Sequence, residues 1–159
     1  MVGYSLKVIR RVIMALVYHL YPVELQHRKG SHSVFSVRLH FVFVTRYRRK
    51  VITLAMLERM QEMFWQVCRK MDCELVEFSG EPDHVHLLVD FHPKNSIAAV
   101  AGSLKASTSR AMQKEFSVEV KKFYSKPVFW SNSYYVASSG GAPIDKLKEY
   151  IQSQEKPID

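Results

Sequence analysis

The chain has 159 residues, of which 47% are hydrophobic and 12% aromatic. This composition suits one domain with a single core and argues against intrinsic disorder. The formal charge of +8 favours a polyanionic partner, with nucleic acid ahead of anionic membrane surfaces. Cys68 and Cys73 lack the C-x-x-C spacing of a zinc or redox pair, so we expect free thiols in a reducing cytoplasm.

Residues 1–30 are interpreted as a helical N-terminal extension. Residues 5–21 start with basic side chains and continue into the seven-residue apolar run of residues 12–18. This run is too short to cross a bilayer, and no small-x-small cleavage site follows it. An amphipathic helix is the favoured interpretation, and a start codon assigned too far upstream is the alternative.

Residues 31–139 predict the core, with elements in the order β-α-β-β-α-β. Their hydrophobic periodicity and turn residues indicate the following ranges: strand 33–45, helix 54–71, strand 73–79, turn 80–83, strand 84–91, helix 97–116, basic loop 120–127 and strand 128–137. Thr53 is expected to cap the first helix, and Asn95 or Ser96 the second. The order is that of the ferredoxin-like, or split βαβ, α+β fold, an antiparallel sheet with helices on one face. Its other face is a common platform for nucleic acid.

Residues 140–159 are interpreted as a hinged C-terminal helix. Gly140 and Gly141 follow two serines and predict a flexible joint. Pro143 then suits the first turn of a helix over 143–154.

The triplet His84-Val85-His86 is the strongest candidate for a metal site. Side chains two apart in a strand point to the same side, so both imidazoles share a face while Val85 points to the core. Most such pairs are surface or structurally bonded histidines, but a rigid central strand is where a catalytic metal site belongs. Asp83 either supports the site from behind or caps the turn. With a phosphodiester substrate, Mg²⁺ or Mn²⁺ fits best.

Tyr150 and Gln154 lie four residues apart on the terminal helix and therefore project from one face. A solvent-facing tyrosine with a polar neighbour is the plain alternative. The glycine joint, however, makes the helix a movable arm. A tyrosine hydroxyl can attack a phosphodiester to give a covalent phosphotyrosine, and Gln154 can add an oxygen ligand to a metal.

Basic side chains are candidates for binding nucleic acid. The first group is a cluster interleaved with an aromatic residue, which suits phosphate neutralisation with base stacking: Arg46, Tyr47, Arg48, Arg49 and Lys50. Lys105 and Arg110 lie on the second helix. Each alone could be a solvated surface charge, but the net charge favours a binding face. Trp65 and Trp130 are expected in the core.

Five ordered blocks of residues resemble the small single-tyrosine HUH transposases (transposase A proteins) of insertion sequences that move as single-stranded DNA. The blocks cover about residues 30–156: His32 to Phe35 leading to Val44 to Ile52; Pro82 to Val89; Ser103 to Lys105 with Arg110; Phe129 to Ser131 with Tyr134 and Tyr135; and Gly140-Gly141 ahead of Tyr150 and Gln154. Residues 1–28 have no counterpart in the family pattern.

The resemblance implies a homodimer with active sites shared between subunits. His84 and His86 of one subunit would meet Tyr150 from the other, and Gln154 would complete the shell of an Mg²⁺ or Mn²⁺ ion. The family cleaves single strands beside subterminal hairpins through a 5′-phosphotyrosine and rejoins them without a nucleotide cofactor. It has no membrane partner, and its location is the cytoplasm, at the nucleoid when acting. Two alternatives remain: a host-domesticated HUH nuclease acting on chromosomal palindromic repeats, and a non-catalytic ferredoxin-like nucleic-acid-binding module.

Overall fold

The structure is a computed structural model that describes residues 28–138 and 144–154, with side chains in the second range from Glu149 onward. The predicted helix before residue 28 and the predicted hinge at Gly140 and Gly141 lie outside these ranges. The helices are α1 (Leu54–Lys70), α2 (Ile97–Glu115), α3 (Ser117–Lys121) and α4 (Ile144–Ser153). The strands are β1 (Arg28–Lys29), β2 (Val34–Phe35), β3 (Arg38–Val44), β4 (Glu74–Glu81), β5 (His84–Asp90) and β6 (Tyr135–Ser138).

Four strands form an antiparallel sheet in the order β4-β5-β3-β6. The first strand of the β-α-β-β-α-β motif, β3, therefore lies between the third and the fourth, as the ferredoxin-like fold requires. This confirms the predicted α+β class. β1 and β2 pair with each other in a separate small ribbon.

The core lies between one face of the sheet and helices α1 and α2. Alternate residues of β3 and β5 point to this side, and Phe41, Phe43, Val85 and Leu87 are fully buried there. Phe43 meets Phe64 of α1, with ring centroids 6.0 Å apart. We call this side of the sheet the closed face. Complete burial of one such side chain stabilises the fold by roughly 1.5–3 kcal/mol, so each of these residues contributes to stability.

The helix caps follow the sequence signals. The Thr53 hydroxyl accepts a hydrogen bond from the Met56 amide, as predicted. Of the two candidates for α2, Ser96 is the cap, because its hydroxyl accepts from the Ala99 amide. The side-chain amide of Asn95 instead donates to the Met71 carbonyl, which ties the start of α2 to the end of α1.

Four predicted ranges are wrong in detail. The strand over 33–45 is divided into β2, which pairs with β1, and β3, which pairs with β5 and β6. The strand over 128–137 is reduced to β6 and a single bridge between Thr45 and Trp130. The turn over 80–83 is shorter, since β4 runs to Glu81. The loop over 120–127 begins inside α3, whose Val120 is buried.

Residues 28 and 29 form a strand, although they belong to the extension that was predicted to be helical. Within the two described ranges, none of the helices has both the length and the apolar character needed to cross a membrane.

Candidate active site on the open face of the sheet

The face of the sheet opposite α1 and α2 carries the candidate residues, and we call it the open face. The strand register puts His86 opposite Val42, and Val42 opposite Tyr135, in one row across β5, β3 and β6. His84 lies in the next row, opposite Val44. As predicted from strand alternation, His84 and His86 share a side, and their ring centroids are 5.0 Å apart.

His84 is held by the side chain before it. Its Nδ1 lies 2.7 Å from Oδ1 of Asp83, while Oδ2 of Asp83 accepts from Nε of Arg48 at 2.8 Å. Burial of the Asp83 carboxyl opposes ionisation, but the hydrogen bonds with His84 and Arg48 outweigh it and lower the pKa. Asp83 is therefore a carboxylate bonded directly to a candidate ligand.

His86 is held by a residue that the sequence did not point to. Its Nδ1 lies 3.1 Å from Nε2 of His40 on the neighbouring strand, and the two rings stack with centroids 5.2 Å apart. Burial lowers the pKa of His40, against the opposing charge of Glu77, so His40 is neutral near pH 7 and one ring nitrogen can accept.

These contacts suit a metal ligated through Nε2. A ligating histidine usually donates its other ring N–H to a carboxylate or another acceptor, which fixes the tautomer. Asp83 and His40 occupy the two Nδ1 positions in this manner. Across the described residues, no group of three or more histidine, cysteine or acidic side chains could hold a metal. Among the described residues, this part of the open face thus offers two imidazoles, His84 and His86.

Tyr150 reaches the open face through packing of α4. Ile151 is buried against Val42 and Val44, and the Tyr150 ring lies 5.6 Å from that of Tyr135. The Tyr150 hydroxyl is 3.0 Å from Oγ of Ser133. Burial raises the pKa of Tyr150, and the bond to Ser133 only partly offsets this.

A short segment before β6, Ser131–Ser133, receives the end of α4. The hydroxyls of Ser131 and Ser133 both donate to Oε1 of Gln154. Behind the segment, Nζ of Lys105 donates to the carbonyls of Ser131 at 2.7 Å and Ser133 at 3.0 Å. Burial lowers the pKa of Lys105 to about 8. Tyr150 and Gln154 are thus both hydrogen-bonded to this segment, while the Nδ1 atoms of His84 and His86 are engaged with Asp83 and His40.

The basic cluster of residues 46–50 follows β3 directly, beside the two histidines. Tyr47 and Arg48 both have positive φ, of 55° and 54°, a conformation that costs a residue with a side chain about 1–3 kcal/mol. The Arg46 guanidinium lies 5.0 Å from the centre of the Tyr47 ring. Tyr47 and Lys50 are exposed, as is Arg110 on α2, whereas Lys105 is directed at backbone carbonyls.

Comparison with known proteins places the chain in a family. The family model described as "Transposase IS200 like" matches residues 33–154, more than three quarters of the chain. The chain belongs to the IS200-like transposase family. Members of this family transfer DNA strands, so the open face and the basic cluster beside it belong to a DNA transposase.

Individual relatives agree with this assignment. This chain is 27% identical over 124 residues to the transposase for insertion sequence element IS200 of Salmonella typhimurium. The alignment covers 78% of this chain and 80% of the relative. The chain is 23% identical over 139 residues to the ISDra2 transposase TnpA of Deinococcus radiodurans, covering 87% and 97%. It also resembles the crystal structure of a Deinococcus radiodurans protein that was assigned as a transposase. That match has a TM-score of 0.74 and 25% identity, and covers 82% of this chain and 99% of that one.

Sequence reasoning assigned no role to three polar residues of the candidate site: His40, Ser131 and Ser133. His40 could have been noticed because it alternates with Val42 and Val44, which puts it on one face of the strand. Its pairing with His86 depends on the β3–β5 register, which local sequence does not define. Ser131 lies in one of the blocks that resemble the family, but no role was predicted for it or for Ser133, and both fall in the range expected to be strand.

Proposed function

We propose that this transposase cleaves and rejoins single-stranded DNA beside hairpins, with Tyr150 as nucleophile and a divalent metal, Mg²⁺ or Mn²⁺, at His84 and His86. The observation that carries the proposal is the meeting on one sheet face of two imidazoles, each engaged through Nδ1, and the helix that bears Tyr150. A bound divalent ion would polarise the scissile phosphate. Gln154 would contribute its amide oxygen after leaving the serines.

The chain's own residues supply the covalent step. The Tyr150 oxygen attacks phosphorus, the bond from phosphorus to the 3′ oxygen breaks, and the departing 3′ oxygen takes up a proton. The tyrosine becomes a 5′-phosphotyrosine ester and loses its own proton to solvent or a base. Attack by a 3′-hydroxyl reverses these bonds, so rejoining requires no nucleotide cofactor.

The position of Tyr150 favours a moving arm. In the described chain its hydroxyl bonds to Ser133, on the β6 side of the row that starts at His86. We propose that the working site pairs the histidines of one subunit with Tyr150 of the other in a homodimer. Backbone contacts to DNA would come from the basic cluster of residues 46–50 and from Arg110, with Lys105 positioning the serine segment.

A covalent-adduct assay tests the proposal. The protein is incubated with a labelled hairpin-bearing single strand and Mn²⁺ and then analysed on a denaturing gel. Wild type should form an adduct and Tyr150→Phe should form none. Tyr134→Phe is the matched control, because Tyr134 packs on the closed face near Phe41 and should leave the adduct intact. An adduct that survives Tyr150→Phe, or no adduct with any end sequence, contradicts the proposal.

Sharing of sites has its own test. Neither Tyr150→Phe nor His86→Ala should cleave alone, and an equimolar mixture should regain activity, because one mixed site holds both intact partners. If the mixture stays inactive while mixed dimers form, the two residues act within one subunit.

A further inference from the structure

Arg48 was expected to contact DNA, but its guanidinium points back to the histidine strand. Its Nε donates to Oδ2 of Asp83, and the other oxygen of the same carboxylate is 2.7 Å from Nδ1 of His84. Arg48, Asp83 and His84 thus form a continuous chain of hydrogen bonds. Asp83 is nearly inaccessible, with 9% of its side chain exposed, against 29% for Arg48.

The backbone around Arg48 is fixed in the conformation that produces this direction. The positive φ of Tyr47 and Arg48 is unfavourable and persists only where surrounding contacts enforce it. Buried Thr45 supplies several of these contacts, since its hydroxyl lies 2.6 Å from the Arg49 carbonyl and 3.1 Å from that of Asp83. Its amide also donates to the Asp83 carbonyl. One threonine therefore ties the bent loop to the turn that carries Asp83.

Tyr124 adds an anchor from outside the sheet. Its hydroxyl donates to the Arg46 carbonyl at 2.7 Å, and the Arg46 amide donates to the Phe129 carbonyl at 2.8 Å. A flexible surface arginine that only meets phosphate needs no such support. Strain maintained by this many contacts is typical of a functional constraint on side-chain direction.

From this geometry we infer that Arg48 is a positioning residue, which orients Asp83 and through it His84 for metal binding. The inference rests on the proposed function. With both carboxylate oxygens engaged, Asp83 cannot rotate away from Nδ1, and Nε2 of His84 keeps one direction. Removal of Arg48 leaves a nearly buried carboxylate with one anchor fewer, so His84 loses part of its alignment.

The test measures Mn²⁺ affinity of the DNA-free, full-length protein by calorimetry or by EPR of free Mn²⁺. Changes at residues that orient metal ligands typically cost 10–100-fold in affinity, and we expect Arg48→Gln to weaken Mn²⁺ binding by about 10-fold. Lys50→Gln is the matched control, since it removes one positive charge from an exposed position of the same loop. Lys50→Gln should leave the Mn²⁺ affinity unchanged and should weaken only the binding of hairpin DNA.

A double-mutant cycle separates positioning from general loosening of the loop. In an Asp83→Asn background, Arg48→Gln should have little further effect on Mn²⁺ affinity, because the carboxylate it orients is gone. Full additivity of the two losses, or an Arg48→Gln protein that binds Mn²⁺ like wild type, overturns the inference. If Arg48→Gln does not fold by circular dichroism, Arg48→Lys replaces it, with an expected loss of about 3-fold, and no loss overturns the inference.

Failure of the proposed function gives a different result. Wild type would then show no Mn²⁺ binding that depends on His84 and His86. The orientation of His84 can still be followed without metal, through its ring-nitrogen tautomer in ¹⁵N NMR. Arg48→Gln should mix the tautomers while Lys50→Gln should not, and an unchanged tautomer overturns the positioning role.

Discussion

The two faces of β5 differ in what their side chains contact. Val85, Leu87 and Val89 are fully buried against helices, while His84 and His86 alternate with them and bond to Asp83 and His40. Seven consecutive residues thus contribute to a hydrophobic core and to a polar site. The rigidity that the closed face gives the strand is what keeps the imidazoles in place on the open face. Substitutions on the two faces should therefore have separable effects on stability and on cleavage.

The largest effect is expected from Phe64→Ala on the closed face. Phe64 is fully buried and contacts both Phe43 and Phe78. Truncation should lower the free energy of unfolding by about 3–5 kcal/mol, through lost burial and the cavity left behind. Urea denaturation of the full chain measures it. A loss below about 1 kcal/mol would show that the closed face does not dominate stability.

His86→Ala on the open face should instead have a large effect on cleavage and a small effect on stability. Under the proposed function the substitution removes a metal ligand, and it should reduce adduct formation by at least about 100-fold. The unfolding free energy should change by less than about 1 kcal/mol. Hairpin binding by gel shift should persist, because phosphate contacts come from the basic cluster. Leu88→Ala, two residues on along the same face, is the control and should still form adduct. Collapse of DNA binding in His86→Ala would mean that the histidine contacts DNA or supports the fold.

A smaller effect is expected from Ser133→Ala on the attachment of α4. The substitution removes the hydroxyl bonded to Tyr150 and Gln154, each worth about 1 kcal/mol. Amide exchange across Ile144–Ser153 should accelerate about 5-fold or more. Asn132→Ala is the control, since Asn132 is exposed between the two serines. Equal exchange in both variants would mean that Ile151 alone holds the helix.

The smallest effect is expected when the native protein is treated with a thiol reagent, because Cys68 should not react. Cys68 is fully buried, and burial raises the pKa of its thiol to about 12. Because of this raised pKa, the Cys68 thiol stays protonated and unreactive at pH 8. The thiolate would dominate only above about pH 12. Iodoacetamide at pH 8 should therefore label Cys68 in urea but not in buffer. Rapid native labelling would show that the closed face opens.

The sequence predicted what alternation and capping determine. The ferredoxin-like order, the Thr53 cap and the shared side of His84 and His86 all followed from local patterns, and the structure has each of them. The pairing of His40 with His86 could not follow, because it joins two strands whose offset depends on the whole sheet.

Other departures also come from tertiary contacts. The stretch before β6 looked like strand but offers two carbonyls to Lys105, so it does not continue the ladder. Lys105 and Arg48 looked like surface cations because a basic side chain in a sequence is usually solvent-exposed. Only the fold shows that their charged groups turn inward, to carbonyls in one case and to Asp83 in the other.

The row His86–Val42–Tyr135 has a fixed length, because its three residues are paired across neighbouring strands. Neighbouring strands are about 4.8 Å apart, so the backbones at its two ends are separated by about 10 Å. Ladder hydrogen bonds fix this length, and no change of side chain on β3 can shorten it. A nucleophile must come within about 3–3.5 Å of the atom it attacks. Under the proposed function, Tyr150, whose ring packs on Tyr135 at the far end of this row, would have to reach a phosphate held at His84 and His86. Movement of α4 would then be the step at which DNA or a second subunit decides when a strand is cut.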